Sequence, residues 1–186
     1  MKTLEKFIIN LCGTFNNKEQ IENELRDGNV IHPKAKHINA IANEKIANLP
    51  SYFKGYFILE ESYYDVNGKT NVMPHLFLFT LNDEKKVTLT SYEIPEGISK
   101  EDFRNDNKDL KMDFKKLKAS EKFTPLIYTE IEDNKFVGES TSEFSPVTTF
   151  KLKETVSSDS LEVSECFYNN GKLTFGFVDP IIYKRL

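Results

Sequence analysis

The 186-residue sequence has no tryptophan, only two cysteines and no long apolar run. Cys12 and Cys166 lie far apart and belong to no Cys-x-x-Cys or Cys/His spacing, which argues against a zinc site or a disulfide framework. We expect both thiols to be reduced, with a bond between the two chain ends as the alternative. His32, His37 and His75 lack the close spacing of metal ligands, so we predict no metal site.

Charge and hydropathy exclude further classes of partner. The formal net charge of −4 leaves no surplus of lysine and arginine for phosphate contacts, so we expect no nucleic-acid partner. No stretch approaches the roughly 20 apolar residues that cross a bilayer, and we expect no membrane partner. The apolar run after Lys2 is interrupted by Glu5 and Lys6 and lacks a small-residue cleavage site, which argues against a secretion signal. We therefore predict a soluble, cytoplasmic protein.

Motifs of common enzyme classes are also missing. The chain contains no glycine-rich phosphate loop, no nucleophile elbow and no Ser/His/Asp signature. What it does contain is 15 phenylalanines and 8 tyrosines among 39% hydrophobic and 29% charged residues, which is the balance of an ordered globular protein. At this length we predict a single domain over residues 1–186.

The first 30 residues predict a helical segment with two short helices, over residues 3–12 and 18–26. Apolar side chains in the first helix follow the i, i+3, i+4, i+7 spacing of one buried face. These side chains are Leu4, Phe7, Ile8 and Leu11. Residues 36–50 fit either a helix or an extended segment, and we favour a strand because a strand-rich region follows.

From Gly55 onward, β-branched and aromatic runs alternate with Asn-Gly, Asn-Asp and Asn-Asn-Gly turns, the pattern of an antiparallel sheet. The predicted strands cover residues 55–65, 69–73, 75–82, 86–94, 124–132, 135–140, 147–152, 160–168, 172–178 and 181–185. Hairpin connections between so many consecutive strands favour a meander that closes into a barrel over an α/β fold. Residues 31–186 would form this barrel, with a charged surface excursion at about 96–122.

The stretch FILEESYYDV, residues 57–66, places two carboxylates and two tyrosines inside an apolar strand. Side chains alternate between the two faces of a strand, so Glu60 and Glu61 point in opposite directions. They cannot form the paired acid and base of a glycosidase-like site. We predict that one faces solvent and that the other faces the barrel interior, where it meets a ligand; the alternative is an acid solvated at a rim. The pattern leaves open which glutamate faces inward.

Further polar side chains in the same and neighbouring strands are candidates for binding and orienting a ligand in an aromatic cavity. They are Tyr63, Tyr64, His75, Tyr92 and Glu93. The alternative is that these side chains belong to the ordinary core or exterior packing of the sheet.

Three stretches together resemble one protein family. GTFNNKEQ, residues 13–20, is similar to the G-x-F-x-N-x-x-Q opening of the T-type (CpcT/CpeT) chromophore lyases of phycobiliproteins. KFVGEST, residues 135–141, resembles the G-x-T segment of that family. LEVSECFYNNGKLTFGFVD, residues 161–179, and the closing IIYKRL resemble its C-terminal strands. Phe175 and Phe177 stand where the family carries tryptophan.

The resemblance implies a mainly β, calycin-like antiparallel β-barrel that takes an open-chain tetrapyrrole, a bilin, as its substrate and holds no tightly bound cofactor. It implies a chromophore lyase, which positions the bilin for attachment to a cysteine of a phycobiliprotein subunit, its acceptor partner. Glu60 or Glu61 would then be the catalytic acid that pairs with the pyrrole nitrogens, with Tyr63 and Tyr64 beside it. The location would be the plastid stroma in a photosynthetic eukaryote.

Two other functions stay open. A non-catalytic calycin-type protein would use the same cavity to bind another hydrophobic small ligand. A barrel with a filled interior would instead act through its surface as an interaction module. A homodimer formed through an exposed strand edge is a further alternative.

Overall fold

The computed structural model describes residues 2–186, in which two short helices precede or interrupt a sheet of many strands. Helix α1 spans Thr3–Leu11 and helix α2 spans Lys18–Arg26, as predicted. The strands are β1 (Gly13–Asn16), β2 (Lys34–Ile41), β3 (Ile46–Ala47), β4 (Tyr56–Val66), β5 (Lys69–Leu81), β6 (Val87–Tyr92), β7 (Met112–Asp113), β8 (Leu126–Glu132), β9 (Lys135–Ser145), β10 (Thr148–Val156), β11 (Ser160–Asn169), β12 (Lys172–Gly176) and β13 (Ile181–Arg185). Short 3-10 turns occupy Asn43–Lys45 and Phe114–Lys116.

Ten of these strands close into an antiparallel β-barrel, which confirms the predicted fold class. Around the wall the order is β10-β9-β8-β6-β5-β4-β2-β1-β13-β11, and β11 pairs with β10 to close the ring. β12 pairs with the second half of β11, beyond the part that pairs with β13, and so extends from the ring. β3 and β7 form a separate parallel pair.

Asparagine-glycine pairs make two of the tight hairpins that the sequence pattern predicts. Asn67 and Gly68 have φ values of 52° and 75°, and Asn170 and Gly171 have φ values of 49° and 75°. Both central residues of a type I′ turn need positive φ, which asparagine and glycine adopt at the least cost. The first pair joins β4 to β5, and the second joins β11 to β12.

The two ends of the barrel differ. Helix α1 fills the lower end, where the ring of Phe7 lies 4.6–5.3 Å from the rings of Phe79, Tyr128 and Phe136. The Arg185 guanidinium fixes this helix by donating to carbonyl oxygens at its C-terminal end, over 2.5–3.3 Å. The upper end, where β4 turns into β5 and β11 turns into β12, surrounds a cavity.

Strand alternation divides the side chains of the wall between the interior and the outer face. On β4 the interior set is Ile58, Glu60, Ser62 and Tyr64, and the outer set is Phe57, Leu59, Glu61 and Tyr63. The sequence predicts this alternation, and the packing decides which set is inside. The interior set joins the barrel core because it meets side chains of α1 and of the opposite wall.

The charged segment 96–122 is a cover over the outer face of β4, β5 and β6. Its side chains Phe103, Leu110 and Met112 are buried against Phe57 and Leu59 of the barrel wall. Most of the segment is exposed on the surface of the barrel, but a few apolar side chains inside it are enough to bind it to an apolar sheet face. We call residues 96–122 the cover segment.

Several strand predictions differ from the structure. Residues 69–73 and 75–82 form one strand, β5, which continues through Pro74 because β4 pairs with it from Lys69 to Phe79. β9 and β10 continue beyond the predicted 135–140 and 147–152, and β1, which belongs to the barrel, lies in the segment predicted as helical. The strand favoured over residues 36–50 is confirmed for its first part by β2, whereas the rest forms a 3-10 turn and β3.

Candidate functional site

A cavity of about 610 Å³ opens at the upper end of the barrel. Its wall is built from the upper parts of β4, β5, β11 and β13, from β12 and from the loop before β2. The apolar lining side chains are Ile31, Pro33, Val66, Met73, Val163, Phe175, Phe177 and Ile181. This volume, with few polar groups in an apolar wall, is typical of a site for one small molecule.

The polar part of the lining is small and carries no lysine or arginine among the described residues. Glu165, Tyr64 and Tyr183 belong to the wall, together with His32, and Asp65 lies at the exposed rim. The cavity therefore offers a carboxyl group and hydroxyl groups to a ligand, without a fixed positive charge from a guanidinium or an ammonium.

Glu165 projects from β11 into this cavity, and no described residue donates a hydrogen bond to its carboxylate. Burial raises the pKa of Glu165 to about 7; the nearby Glu60 carboxylate acts in the same direction, and His37 opposes it. Near neutral pH the Glu165 carboxyl group is therefore divided between its charged and neutral forms. A ligand that prefers one of the two forms can shift this protonation equilibrium.

Glu60 on β4 and His37 on β2 form an ion pair behind this wall. Glu60 Oε2 lies 3.5 Å from His37 Nδ1, and the Ser62 hydroxyl donates to Glu60 Oε1 at 3.0 Å. Burial disfavours the charged forms of both side chains. For Glu60, the attraction of the His37 imidazole outweighs the effect of burial and holds the pKa of Glu60 below its usual range. Burial likewise lowers the pKa of His37, but the Glu60 carboxylate outweighs it and the pKa of His37 is raised. The prediction that one glutamate faces the interior is thereby resolved in favour of Glu60.

Glu154 on β10 is a third interior carboxyl group. It is buried, and the Tyr128 hydroxyl donates a hydrogen bond to it. Burial raises the pKa of Glu154 to about 8, and the field of Glu60 adds to the rise. At neutral pH this carboxyl group is mostly protonated, so Glu60 is the interior acid that carries a full negative charge.

Tyr183 is buried in the cavity wall with 0% of its surface exposed. Its hydroxyl group interacts with the neighbouring Tyr64 hydroxyl, but it makes no well-aligned hydrogen bond to a described residue. Burial raises the pKa of Tyr183 and of Tyr64, so both hydroxyl groups keep their protons. An unsatisfied buried hydroxyl group costs about 1–3 kcal/mol, and a polar ligand in the cavity would supply its partner.

The wall near the mouth is held together by a hydrogen-bonded cluster of Gln20, Glu24 and His32, which we call the His32 clasp. His32 Nδ1 pairs with the Glu24 carboxylate, and His32 Nε2 lies 3.0 Å from the carbonyl oxygen of Asp179. The Gln20 side-chain amide donates to the carbonyl oxygen of Pro180 at 3.0 Å and accepts from the backbone N–H of Ile182 at 2.9 Å, at the start of β13. The His32 ring packs against Phe177, 5.0 Å between centroids. The clasp thus ties α2 and the loop before β2 to the entrance of β13.

Glu61 lies on the outer face of the barrel and does not line the cavity. Only 2% of its surface is exposed, because the cover segment supplies its partners. It accepts a hydrogen bond from the backbone N–H of Asn105 at 2.8 Å and one from the Tyr63 hydroxyl, and Arg104 Nε lies 3.6 Å away. The prediction that the outward glutamate faces solvent is therefore wrong, and Glu61 anchors the cover segment instead.

Three of the other predicted site residues also lie outside the cavity. The Tyr63 hydroxyl accepts from Arg104 Nη2 at 2.9 Å, and burial together with Glu61 raises the pKa of Tyr63 to about 12. The ring of Tyr92 packs edge-on to that of Phe57 on the outer face, 5.2 Å between centroids. Glu93 follows β6 and is exposed. These side chains belong to the cover and to the exterior of the sheet.

The remaining two lie inside the barrel. Tyr64 lines the cavity. His75 is the strand partner of Glu60 on β5, so it shares the interior face without belonging to the cavity lining. Burial lowers the pKa of His75, and Glu60 offsets part of the change.

Sequence reasoning missed Glu165, Glu154, His37 and Tyr183 as parts of the interior. His37 lies on β2, the sheet neighbour of β4, but that pairing is not visible in the pattern of a single strand. The other three lie on β10, β11 and β13, which meet β4 only across the barrel. A usable signal was present in β11, where Glu165 continues the apolar set Leu161 and Val163. An acid on the apolar face of a strand is a candidate for a buried polar site.

Several other kinds of site find no support in the described residues. Among residues 2–186, no three His, Cys, Asp or Glu side chains are grouped so that they could hold a metal ion. Cys12 and Cys166 are free thiols, and the lining of the cavity contains neither. Within that range no helix has the length and apolar character needed to cross a membrane.

Comparisons with protein-family models, with curated proteins and with solved structures find no match to this chain. The resemblance to the T-type lyases therefore stays a prediction. The case for a function rests on that resemblance and on the cavity with its polar groups.

Proposed function

We propose that this protein binds an elongated, mostly apolar small molecule in the cavity at the upper end of its barrel. We propose further that the ligand is a bilin, held for attachment to a phycobiliprotein cysteine. The observation that carries the first part is the cavity of about 610 Å³, whose apolar wall contains the Glu165 carboxyl group, to which no described residue donates, and the buried Tyr183 hydroxyl, which accepts from none. The sequence resemblance supports the second part.

The polar groups of the cavity suit a bilin. Such a molecule combines flat apolar rings with pyrrole N–H donors, with carbonyl oxygens on its end rings and with two propionate side chains. Because the described lining has no lysine or arginine, the propionates would extend through the open mouth into solvent. Glu165 is a carboxyl group that can accept from the pyrrole nitrogens, and the hydroxyls of Tyr64 and Tyr183 can donate to a carbonyl oxygen. Phe175 and Phe177 offer aromatic faces for stacking. We therefore give the role of the ligand-pairing acid to Glu165, with Glu60 acting behind it.

In this proposal the protein positions the pigment and the acceptor subunit supplies the nucleophile. The acceptor thiol adds across a carbon-carbon double bond of the bilin: sulfur bonds one carbon, the thiol proton goes to the pigment, and no group leaves. A site that fixes one orientation raises the rate by proximity and suppresses addition at the wrong face. No cysteine among the described lining residues competes with the acceptor thiol.

The binding step is tested by adding phycocyanobilin to the purified protein at micromolar concentration and recording its absorption. We expect a red-shifted band that saturates at one pigment per chain. Glu165→Gln should weaken the shift. Glu162→Gln, on the opposite face of β11, should leave it unchanged. An unshifted spectrum at every protein concentration would rule out both a bilin lyase and a bilin carrier.

The attachment step is tested by mixing the loaded protein with an apo-phycobiliprotein subunit and following covalent pigment on a denaturing gel. A lyase should make the attachment faster than it is with free bilin, and it should yield one attachment product in preference to the others that free bilin gives. A second candidate, a non-catalytic binding protein, is favoured by the His32 clasp, whose hydrogen bonds hold the wall near the mouth together and suit retention of a ligand. Tight binding without faster attachment would select this candidate. The open cavity argues against a barrel with a filled interior.

A further inference from the structure

We propose that the cavity selects ligands that carry a protonated nitrogen over ligands whose only charged group is a carboxylate or a phosphate, and that Glu165 pairs with this nitrogen. The inference rests on the proposed function in one respect, since it requires that a small molecule enters the cavity. It does not require that the molecule is a bilin. The ligand class is defined by its positive charge alone.

The first support is the position of Glu165. Its carboxylate faces the cavity without a donor among the described residues, and the described lining includes no lysine or arginine that could receive an anion. A buried or half-buried carboxylate without a partner is costly, and a ligand that brings a cationic nitrogen removes that cost. An anionic ligand would instead add a second negative charge beside the first.

The second support is independent of the carboxyl groups. The Tyr183 hydroxyl is fully buried in the cavity wall, where it interacts with the Tyr64 hydroxyl but accepts no hydrogen bond from a described residue. Its oxygen has free lone pairs, so it can accept a hydrogen bond from an ammonium group that already pairs with Glu165. A nitrogen with several N–H groups satisfies both side chains at once.

The third support is the charge balance around Glu165. Titratable side chains from every packed element face it: Glu60 and Tyr64 from β4, His37 from β2, His75 from β5, Glu154 from β10, Tyr183 from β13, and His32 and Asp65 near the mouth. The interior ion pair joins His37 to Glu60, but the two ring nitrogens of His37 make no hydrogen bond to a described residue. His32 is occupied by Glu24. The positive group that acts on Glu165 is therefore His37, which Glu165 shares with Glu60, and no described donor reaches the Glu165 carboxylate with a hydrogen bond.

Binding of a cation should release a proton. Because the pKa of Glu165 is raised to about 7 by burial, part of the population is protonated at neutral pH. A cationic ligand favours the carboxylate, so the displaced proton leaves to solvent. The affinity for an amine should rise as the pH increases from about 6 to 8, whereas the affinity for an uncharged ligand of the same shape should change little.

The test uses three probes that differ only in their polar group: decylamine, decan-1-ol and decanoate. Calorimetric titration of the whole protein at pH 7.5 should show decylamine binding about tenfold or more tightly than decan-1-ol, the range expected for a charged hydrogen bond. Decanoate should bind most weakly. Titrations in two buffers of different ionisation enthalpy should show proton release with decylamine only.

Variants show whether Glu165 is responsible. Glu165→Gln preserves the shape and should bring decylamine to within about threefold of decan-1-ol, with no proton release. Glu162→Gln is the matched control and should behave as wild type. Equal binding of all three probes to the wild-type protein, or tighter binding of decanoate, overturns this inference and leaves the cavity proposal intact. If no probe binds, the inference falls, and the phycocyanobilin titration decides separately whether the cavity binds a small molecule. If Glu165→Gln keeps the wild-type preference for decylamine over decan-1-ol, Glu165 is not the group that pairs with the nitrogen.

Discussion

The Glu60 carboxylate and the His37 imidazole form an ion pair between β4 and β2, with Nδ1 and Oε2 3.5 Å apart inside the barrel. The pair lies behind Glu165, where Glu60 raises the pKa of the cavity carboxyl group and His37 lowers it. It therefore influences the charge of the cavity wall without belonging to the lining.

The first prediction concerns Glu60→Gln. The Glu60–His37 pair stabilises the fold at pH values at which both side chains are charged. The pKa of Glu60 is lowered, so its contribution is lost as the pH falls through that pKa, below its unfolded value of about 4.3. The pKa of His37 is raised, so its contribution is complete below about 6.5 and lost as the pH rises through the folded pKa. At pH 5.5 the variant should lose about 1–3 kcal/mol in urea unfolding.

The same variant should lower the pKa of His37, measured by NMR titration of its ring protons. Removal of the carboxylate leaves burial as the main influence, and burial favours the neutral ring. Glu162→Gln serves as the control, since this side chain lies on the outer face of β11. A His37 pKa that does not move in Glu60→Gln would show that the two groups are not coupled.

The second prediction concerns Glu154. Its pKa is raised to about 8, so the folded state holds a proton that the unfolded state releases near its usual pKa. The free energy of unfolding should therefore fall as the pH rises from about 5 to 8, with a slope of up to about 1.4 kcal/mol per pH unit for a full proton. Glu165 and His37, whose pKa values are also raised, act in the same direction.

Glu154→Gln should make this pH dependence shallower and should stabilise the protein at pH 8, because the amide oxygen still accepts from Tyr128 and carries no charge. Denaturant unfolding at pH 5, 6.5 and 8 measures the slope. A slope as steep as that of wild type would mean that Glu154 ionises normally inside the barrel.

The third prediction concerns Glu61 and the cover segment. Glu61→Ala removes the acceptor of the Asn105 N–H and leaves Arg104 without its carboxylate. Amides of residues 103–112 should exchange with deuterium faster, consistent with a loss of about 1–3 kcal/mol in local stability. Strands β9 to β11 should keep their protection. Unchanged exchange in residues 103–112 would show that the apolar contacts alone hold the cover.

The general architecture could be predicted from the sequence because it depends on local patterns. Alternating apolar residues and Asn-Gly turns fix strands and hairpins within a few residues. Which face of β4 lies inside could not be predicted, since both faces are apolar and both become buried. The inner face meets α1 and the opposite wall, and the outer face meets Phe103 and Leu110 of the cover segment.

The candidate site was harder to predict than the fold. Of the seven predicted side chains only Tyr64 lines the cavity, and Glu60 and His75 lie in the interior behind it. The cavity brings Glu165 and Tyr183 together with Tyr64 through closure of the barrel, which joins strands more than 100 residues apart along the chain. Period-two alternation describes one strand at a time and carries no information on such closure.

The fourth prediction concerns the His32 clasp. His32→Ala removes the partner of Glu24 and the contact to the carbonyl oxygen of Asp179. Residues 29–33 and 177–181 should exchange faster, and a ligand in the cavity should dissociate faster, because the wall near the mouth loosens. We expect about 1–2 kcal/mol less local stability. Lys18→Ala, on the exposed surface of α2, is the control. A ligand dissociation rate equal to that of wild type would contradict a role of the clasp in retention.

The most direct measurement is a fluorescence titration of the variant Phe177→Trp, which places an indole in the cavity wall of a chain that has no other tryptophan. With phycocyanobilin as the ligand, the central claim predicts a saturable change in the indole emission. Tyr52→Trp, at a position that is 81% exposed, should show no such change at the same pigment concentrations. No saturable change in Phe177→Trp, or the same change in both variants, would contradict the claim that the upper cavity binds a small molecule.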